Sequence, residues 1–255
     1  MNFVPIVIMY PTRNRLAKLN RSLCSIFESG TPNVEIEIVV VCDGDRKTAE
    51  ALMCDDRIAR VIFERHHRGS VYARNLVSQS TEGDLICAVD DITFDQGAID
   101  AAAAAMKERY PDHDGVIGFR RTDRDHSKMN KTSGMYGGVA LIGQKFLRRY
   151  PNRQICYPGY FLFAAQEMTN LAVKLGRGSI CEEARICHYP PRKGGGLDQT
   201  HMEGREHRRT DRKFRQERAK HGLLWGSEFE DRDFDLRMGE RTDEVNRYLR
   251  SRNIK

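Results

Sequence analysis

The chain has 255 residues and a mass of 29.3 kDa, enough for one large domain or one domain with an appendage. Apolar residues make up 40% and charged residues 31%, which excludes a disordered or fibrous chain, and no apolar run approaches the ~20 residues of a membrane-spanning helix. The formal charge is +6, and five of those six excess charges lie between Arg192 and Lys220, where ten Lys and Arg face five Asp and Glu; such a segment favours an anionic partner or a solvated helix face laced with ion pairs.

The first apolar run lacks a basic lead-in and passes into polar Arg13-Asn14-Arg15, so Val4 to Tyr10 reads as a strand buried on both faces and not as a signal peptide. Leu16, Leu19, Leu23, Ile26 and Phe27 then recur at helical spacing. A second buried strand is predicted over 36–41, a short helix over 48–53, a third strand over 60–64 and a helix over 70–80 with Ser70 as its cap. A fourth strand over 85–89 and an Ala-rich helix over 97–110 follow. Strand alternating with helix predicts an α/β fold, a mostly parallel sheet with helices on both faces.

The second half is less regular. Strands are predicted over 116–119 and 139–142, flanking a polar loop with Arg120, Arg121, Arg124, Lys128 and Lys131. Helices are predicted over 144–150 and 163–175 and a strand ending at Cys187. Pro190-Pro191 stops that strand, and the hinge-like Gly194-Gly195-Gly196 precedes a long polar helix over 201–220. The division implied is a main domain over 1–191 and a basic helical extension over 192–255. Seven cysteines, an odd number without a CxxC pair, suit free thiols in a reducing, cytoplasmic setting. Cys181, Cys187 and His188 lack the second pair that a structural zinc site needs.

In open parallel sheets, ligands bind beyond the carboxyl ends of the strands. The residues that follow the first four strands are Pro11-Thr12-Arg13-Asn14-Arg15, Asp43-Gly44-Asp45, His66-His67-Arg68-Gly69 and Asp90-Asp91. Any one of these is a turn signal; together they make a site. GxGxxG, GxxxxGK[ST] and GxSxG are all absent, which removes the dinucleotide, P-loop and hydrolase-elbow fingerprints. Adjacent carboxylates at a strand terminus suit a divalent cation that bridges phosphate oxygens.

The pieces Val-Ile-Met-Tyr-Pro-Thr-Arg-Asn-Arg (7–15), Ile-Val-Val-Val-Cys-Asp-Gly-Asp (38–45), Gly-Ser-Val-Tyr-Ala-Arg-Asn (69–75) and Glu-Gly-Asp-Leu-Ile-Cys-Ala-Val-Asp-Asp (82–91) resemble, in order and strand context, the family-2 glycosyltransferases of GT-A fold, including their phage-type DNA-modifying relatives. The resemblance implies a Rossmann-like GT-A catalytic domain over 1–191 and an extension or lid over 192–255. It implies that Pro11, Thr12, Arg13 and Asn14 line a nucleotide-sugar site, that Asp43 accepts from base or ribose, that Arg74 faces the diphosphate, and that Asp90 belongs to the same donor site. Asp91 takes the metal, Mn²⁺ or Mg²⁺, and His188 completes its site; Val89 stands where the family's Asp-x-Asp motif has its first acid. Glu167 is implied as catalytic base of an inverting transfer from a UDP-type sugar donor, an N-terminal helix position that also suits an acid as cap.

The acceptor implied is a saccharide or a hydroxylated base in DNA. For DNA, Arg120, Arg121, Lys193, Arg208, Arg209 and Arg212 would track phosphates. His66 and His67 match nothing in the family, and Tyr157, Tyr160, Phe161 and Trp225 read as packing. Two other classes stay open: a nucleotidyltransferase, and a non-catalytic nucleic-acid binder on a transferase scaffold.

Overall fold

A computed structural model describes residues 4–28, 33–123, 139–162, 165–189 and 198–227. Its first half follows the alternating pattern: β1 (Ile6–Thr12), α1 (Leu16–Phe27), β2 (Ile36–Asp43), α2 (Arg46–Leu52), β3 (Arg60–Glu64), α3 (Ser70–Ser80), β4 (Asp84–Cys87), β5 (Ile92–Phe94) and α4 (Ala98–Arg109). The second half adds β6 (Val116–Arg121), β7 (Ala140–Ile142), α5 (Gln144–Leu147), α6 (Ala165–Lys174), β8 (Gly178–His188) and α7 (Gln199–Lys220).

One eight-stranded sheet holds them, in the order β3-β2-β1-β4-β7-β6-β8-β5. β3, β2, β1 and β4 are parallel; β7 runs antiparallel to both β4 and β6, and β5 antiparallel to β8. The mixed hand of the second half explains its irregular sequence pattern, because antiparallel neighbours need no helical crossover between them. The register Ile6↔Ile36 through Thr12↔Cys42, with Met9↔Cys87 on the other side, brings the exits of β1, β2 and β4 to one edge.

β1 shows why a continuous apolar run makes this strand. Ile6, Ile8 and Tyr10 join one core with Leu19 and Leu23 of α1 and Ala102 and Met106 of α4. Val7 and Met9, pointing the other way, join a second core with Val71 and Val77 of α3, Phe146, Leu171 and Trp225. Side chains alternate across a strand, so a strand covered on both faces must be apolar at every position.

Three local expectations need correction. α3 is capped at Gly69 and not by Ser70, whose hydroxyl donates instead to the Leu162 carbonyl. Gly69 has φ of +89° and a Cβ there would lie 2.4 Å from the Phe161 carbonyl oxygen, so neither the backbone nor the space admits another residue. The fourth strand ends at Cys87, and the short β5, too brief for a periodicity signal, follows Asp90-Asp91. α7 begins two residues before the predicted helix, capped by Asp198, which accepts from the His201 amide. The Gly194–Gly196 stretch lies outside the described residues.

Candidate active site

The exit of β1 is shaped by a left-handed residue. Asn14 has φ of +56°, a conformation asparagine tolerates better than most, and its amide donates to Asp45 at 2.7 Å. Asp45 also caps α2. The turn throws Arg13 and Arg15 in different directions. Arg13 donates from Nη1 to the carbonyls of Asp43 and Gly44, both at 3.2 Å, and pairs through Nε with Glu203 of α7. Gly44, at φ +69°, leaves room for that guanidinium, since a Cβ there would lie 2.7 Å from Arg13 Nη1.

Arg15 is the hub that sequence reasoning missed. Its Nη1 donates to Asp90 at 3.0 Å and lies 3.9 Å from Asp91, while Nη2 pairs with Asp198 at 2.8 Å and touches the ring of His201. Its side chain is only 10% exposed. Thr12 donates its hydroxyl to the other oxygen of Asp90. The signal for Arg15 was present in the Pro-Thr-Arg-Asn-Arg motif; its partner Asp198 lies 183 residues away, beyond any local pattern.

The two adjacent carboxylates have opposite electrostatics. Burial pushes Asp90 up to about 6, against Arg15 and Thr12 and with help from the neighbouring Asp91 charge. Burial also opposes the charge of Asp91, but His188, Arg15 and His201 outweigh it and hold that carboxyl below its usual range. His188 reaches Asp91 because β5 and β8 pair at Ile92↔His188, and the Tyr189 amide donates to the Asp91 carbonyl at 2.8 Å. The imidazole Nε2 stands 3.3 Å from Asp91 Oδ1, and Nδ1 accepts from Arg121 at 2.8 Å. Val89 packs against the apolar core, which accounts for a valine in that place.

A carboxylate facing an imidazole at a strand terminus is a donor set that Mn²⁺ accepts, the remaining positions going to phosphate oxygens and water. Asp91 and His188 therefore fit a divalent cation, provided Arg121 turns to Asp123, its other partner, and frees Nδ1 to carry the ring proton. Among the described residues no three His, Cys, Asp or Glu side chains are gathered into a ready cage.

Asp43 is buried and holds the loop before α3: it accepts the amides of Arg68 at 2.7 Å and Gly69 at 2.8 Å. His67, unassigned from sequence, belongs to this corner. Its Nε2 lies 3.4 Å from Asp43, its ring meets Phe161 edge-on, and Phe161 stacks on His207 of α7 at 3.8 Å. Burial, aided by Arg13, holds the His67 pKa below its usual value despite Asp43. Arg74 is 7% exposed and has no hydrogen bond or ion pair among the described residues; its Nε is a buried donor without an acceptor. A buried guanidinium without a counter-charge is costly, and an anion beside it removes that cost.

Glu167, at the start of α6, is 5% exposed. Its Oε1 accepts from the Tyr160 hydroxyl at 2.6 Å and from Arg218 Nε of α7 at 3.3 Å, whereas Oε2 has no partner. Arg218 also lies over the Tyr157 ring, 3.7 Å from its centroid. Tyr157 and Tyr160 thus pack as expected but also frame this carboxylate. Trp225 packs edge-on against Tyr157 and donates to the Gln154 carbonyl.

Of the residues expected on an anionic acceptor surface, Arg121 is corrected. It is 6% exposed and turned inward onto Asp123 and His188. Arg120 pairs with Glu182 through Nε at 3.2 Å and Nη1 at 3.4 Å. Arg208, Arg209 and Arg212 are exposed, and Lys193 lies outside the described residues.

The chain resembles solved glycosyltransferase structures: a mannosyltransferase from Pyrobaculum calidifontis in complex with GDP-Man and Mn²⁺ (17% identity, TM-score 0.57, 76% of this chain and 59% of that one). It also resembles GalNAc-T7 with UDP, GalNAc and Mn²⁺ (14%, 0.57, 73% and 44%) and S. aureus TarS 1-349 in complex with UDP (17%, 0.56, 73% and 61%). The chain spans less than two thirds of each of these proteins, and at such identities the likeness speaks for the GT-A fold. A search of curated proteins finds no match. The profile of Glycosyl transferase family 2 matches residues 7–167, from β1 through the start of α6, and the chain belongs to that family.

Proposed function

We propose that the chain transfers a sugar, with inversion, from a nucleoside-diphosphate sugar to an acceptor hydroxyl, assisted by Mn²⁺ or Mg²⁺. The observation that carries this reading is the convergence of Thr12, Arg15, Asp90, Asp91 and His188 from three strand ends onto one charged corner in a family-2 chain. Asp91 and His188 would hold the cation, which when bound stabilises negative charge on the departing diphosphate as a Lewis acid. Arg74, with no counter-charge among the described residues, would supply fixed positive charge to the diphosphate, while Arg15 holds Asp90 and Asp91 in place. Pro11, Thr12, Arg13 and Asn14 line the base and ribose side with Asp43, and His67 joins them.

Glu167 is the base in this reading. Tyr160 and Arg218 fix Oε1, leaving Oε2 to take the proton of the acceptor hydroxyl. The acceptor oxygen bonds to the anomeric carbon from the side opposite the nucleotide, the bond from that carbon to the diphosphate breaks, and its electron pair leaves with the nucleotide. A positioned base contributes about 10²–10⁴ in rate. The acceptor is a saccharide or a hydroxylated base of DNA. The donor site and the base lie within 1–191, and 192–255 is the extension that meets them through α7. All seven cysteines are free thiols, which supports a reducing, cytoplasmic setting; among the described residues no helix is long and apolar enough to cross a membrane.

The test is nucleoside diphosphate release from a panel of nucleotide-sugars with Mn²⁺, with and without hydroxymethylated duplex DNA or a saccharide acceptor. Release that Asp91→Asn removes supports the reading. No release from any donor, alongside tight DNA binding, overturns it in favour of a binder, and pyrophosphate release from a nucleoside triphosphate would make it a nucleotidyltransferase.

A further inference from the structure

We propose that the outer face of α7 is a docking surface for the phosphate backbone of duplex DNA. The inference rests on the transferase reading only in naming what carries the acceptor; the surface itself stands on its own observations. Arg205, Arg208, Arg209, Arg212 and Lys213 are spaced so that they share one face of the helix. All five are exposed, and none has a hydrogen bond or ion pair among the described residues.

Four of the five acids of α7 and its cap are spent elsewhere, the side chain of Glu206 lying outside the described ones. Asp198 neutralises Arg15 and Lys18, Glu203 pairs with Arg13, Asp211 is buried on the backbone amides of Phe161 and Leu162, and Glu217 pairs with Lys220. The inner face is occupied as well: Phe214 meets Tyr157 and Tyr160, His207 stacks on Phe161, and Arg218 holds Glu167. Among the described side chains from Arg205 to Lys213, folding has therefore turned the one acid, Asp211, inward and left the positive charges outside.

Like charges at these spacings repel, each pair destabilising a helix by about 0.2–0.5 kcal/mol, and nothing described on the molecule offsets this. An external polyanion does. From Arg205 to Lys213 the helix rises about 12 Å at ~1.5 Å per residue, and duplex DNA presents one charge per ~1.7 Å of its axis, so about seven phosphates span the stripe. Four of the five are arginines, whose forked guanidinium matches phosphate oxygens two at a time. No aromatic ring faces outward between Arg205 and Lys213, His207 and Phe214 being turned in; single-strand binders rely on aromatic stacking platforms, so the surface fits a duplex.

The experiment measures anisotropy of a labelled duplex of about twenty base pairs against the full chain over a salt series. Expected is a slope of log affinity on log salt near −4 to −5, from five contacts at about 0.9 each. In R208E/R209E/R212E the slope should shrink by about three and the affinity by 10²-fold or more, with a melting midpoint no lower than the parent's, because those side chains hold nothing in the fold and their mutual repulsion is removed. A variant that binds like the parent, a flat salt dependence, or tighter binding of single-stranded DNA than of duplex would overturn the proposal. So would tight binding of a polysulfated saccharide with none of DNA, which would make the stripe a surface for acidic glycans. Donor hydrolysis without DNA binding sinks this inference alone, and DNA binding without donor turnover sinks the transferase reading alone.

Discussion

The two halves of the molecule are held together by different means. From β1 to β4 the chain is fixed by parallel ladders and by turns whose polar groups find partners nearby: Asn14 on Asp45, Asp43 on the loop that opens α3, Asp45 on the first turn of α2. From β6 onward the strands are still held by ladders, but α7 is tied to them by long-range side-chain pairs, Asp211 to the amides of Phe161 and Leu162, Arg218 to Glu167, Asp198 to Arg15 and Lys18. The first half thus offers the charged corner, and the second closes on it through electrostatics. Backbone ladders survive a single substitution. Charge pairs do not, so α7 can be loosened one contact at a time while the sheet stays intact.

The largest effect comes from the contact where the closing helix meets the candidate base. Glu167→Gln keeps the shape and an acceptor oxygen for Tyr160 but removes the base, and transfer should fall about 10²–10⁴-fold while nucleotide affinity, measured by calorimetry, stays near that of the parent. An equal loss of nucleotide affinity would instead make Glu167 a strut of the fold. Next is Asp211→Ala. It leaves the amides of Phe161 and Leu162 without their charged acceptor, at about 1–3 kcal/mol for each buried donor left unsatisfied. Proteolysis should then cut α7 far faster than the sheet, and equal rates for both would show that the two halves melt as one unit.

The smallest effect is that of pH. His67 faces the closing helix and His201 sits in its first turn, and burial with nearby Arg13 or Arg15 holds each pKa below the usual value. A lowered histidine pKa contributes stability that is present above about 6.5 and lost as pH falls through the folded value. Asp198, held far below its usual range because Arg15, Lys18 and His201 outweigh its burial, keeps its contribution until well under pH 4. Hydrogen-exchange protection factors in residues 198–207, corrected for the intrinsic pH dependence of exchange, should therefore fall between pH 6.5 and 5 while β1 and β2 stay protected. Unchanged exchange over that range would remove the two imidazoles from the closure.

What sequence reveals follows the same division. The buried strands β1 and β2 and the helices α1 and α3 are legible because one period, two or 3.6 residues, repeats within each, and the strand-end motifs mark Asp43, Asp90 and Asp91 as neighbours. β5 is three residues long and carries no period, yet its pairing with β8 helps set His188 beside Asp91. Arg15, His67 and Asp198 owe their places to partners on distant elements, and a chain read locally has no means of showing a pair separated by 183 residues. The basic segment was visible as composition; which of its charges face outward depends on Asp211 and Arg218 being buried, which only packing decides.

The bond from Arg15 to Asp198 also bears on the order in which the protein matures. A ribosome adding about 5–20 residues per second needs roughly ten to forty seconds to travel between those two positions. During that interval β1 and α1 can fold, but the guanidinium at their junction faces two aspartates with its third partner not yet made. The corner where donor chemistry is proposed is therefore among the last parts of the described chain to be finished, and a nascent chain stalled before residue 198 would carry an assembled sheet with an open end.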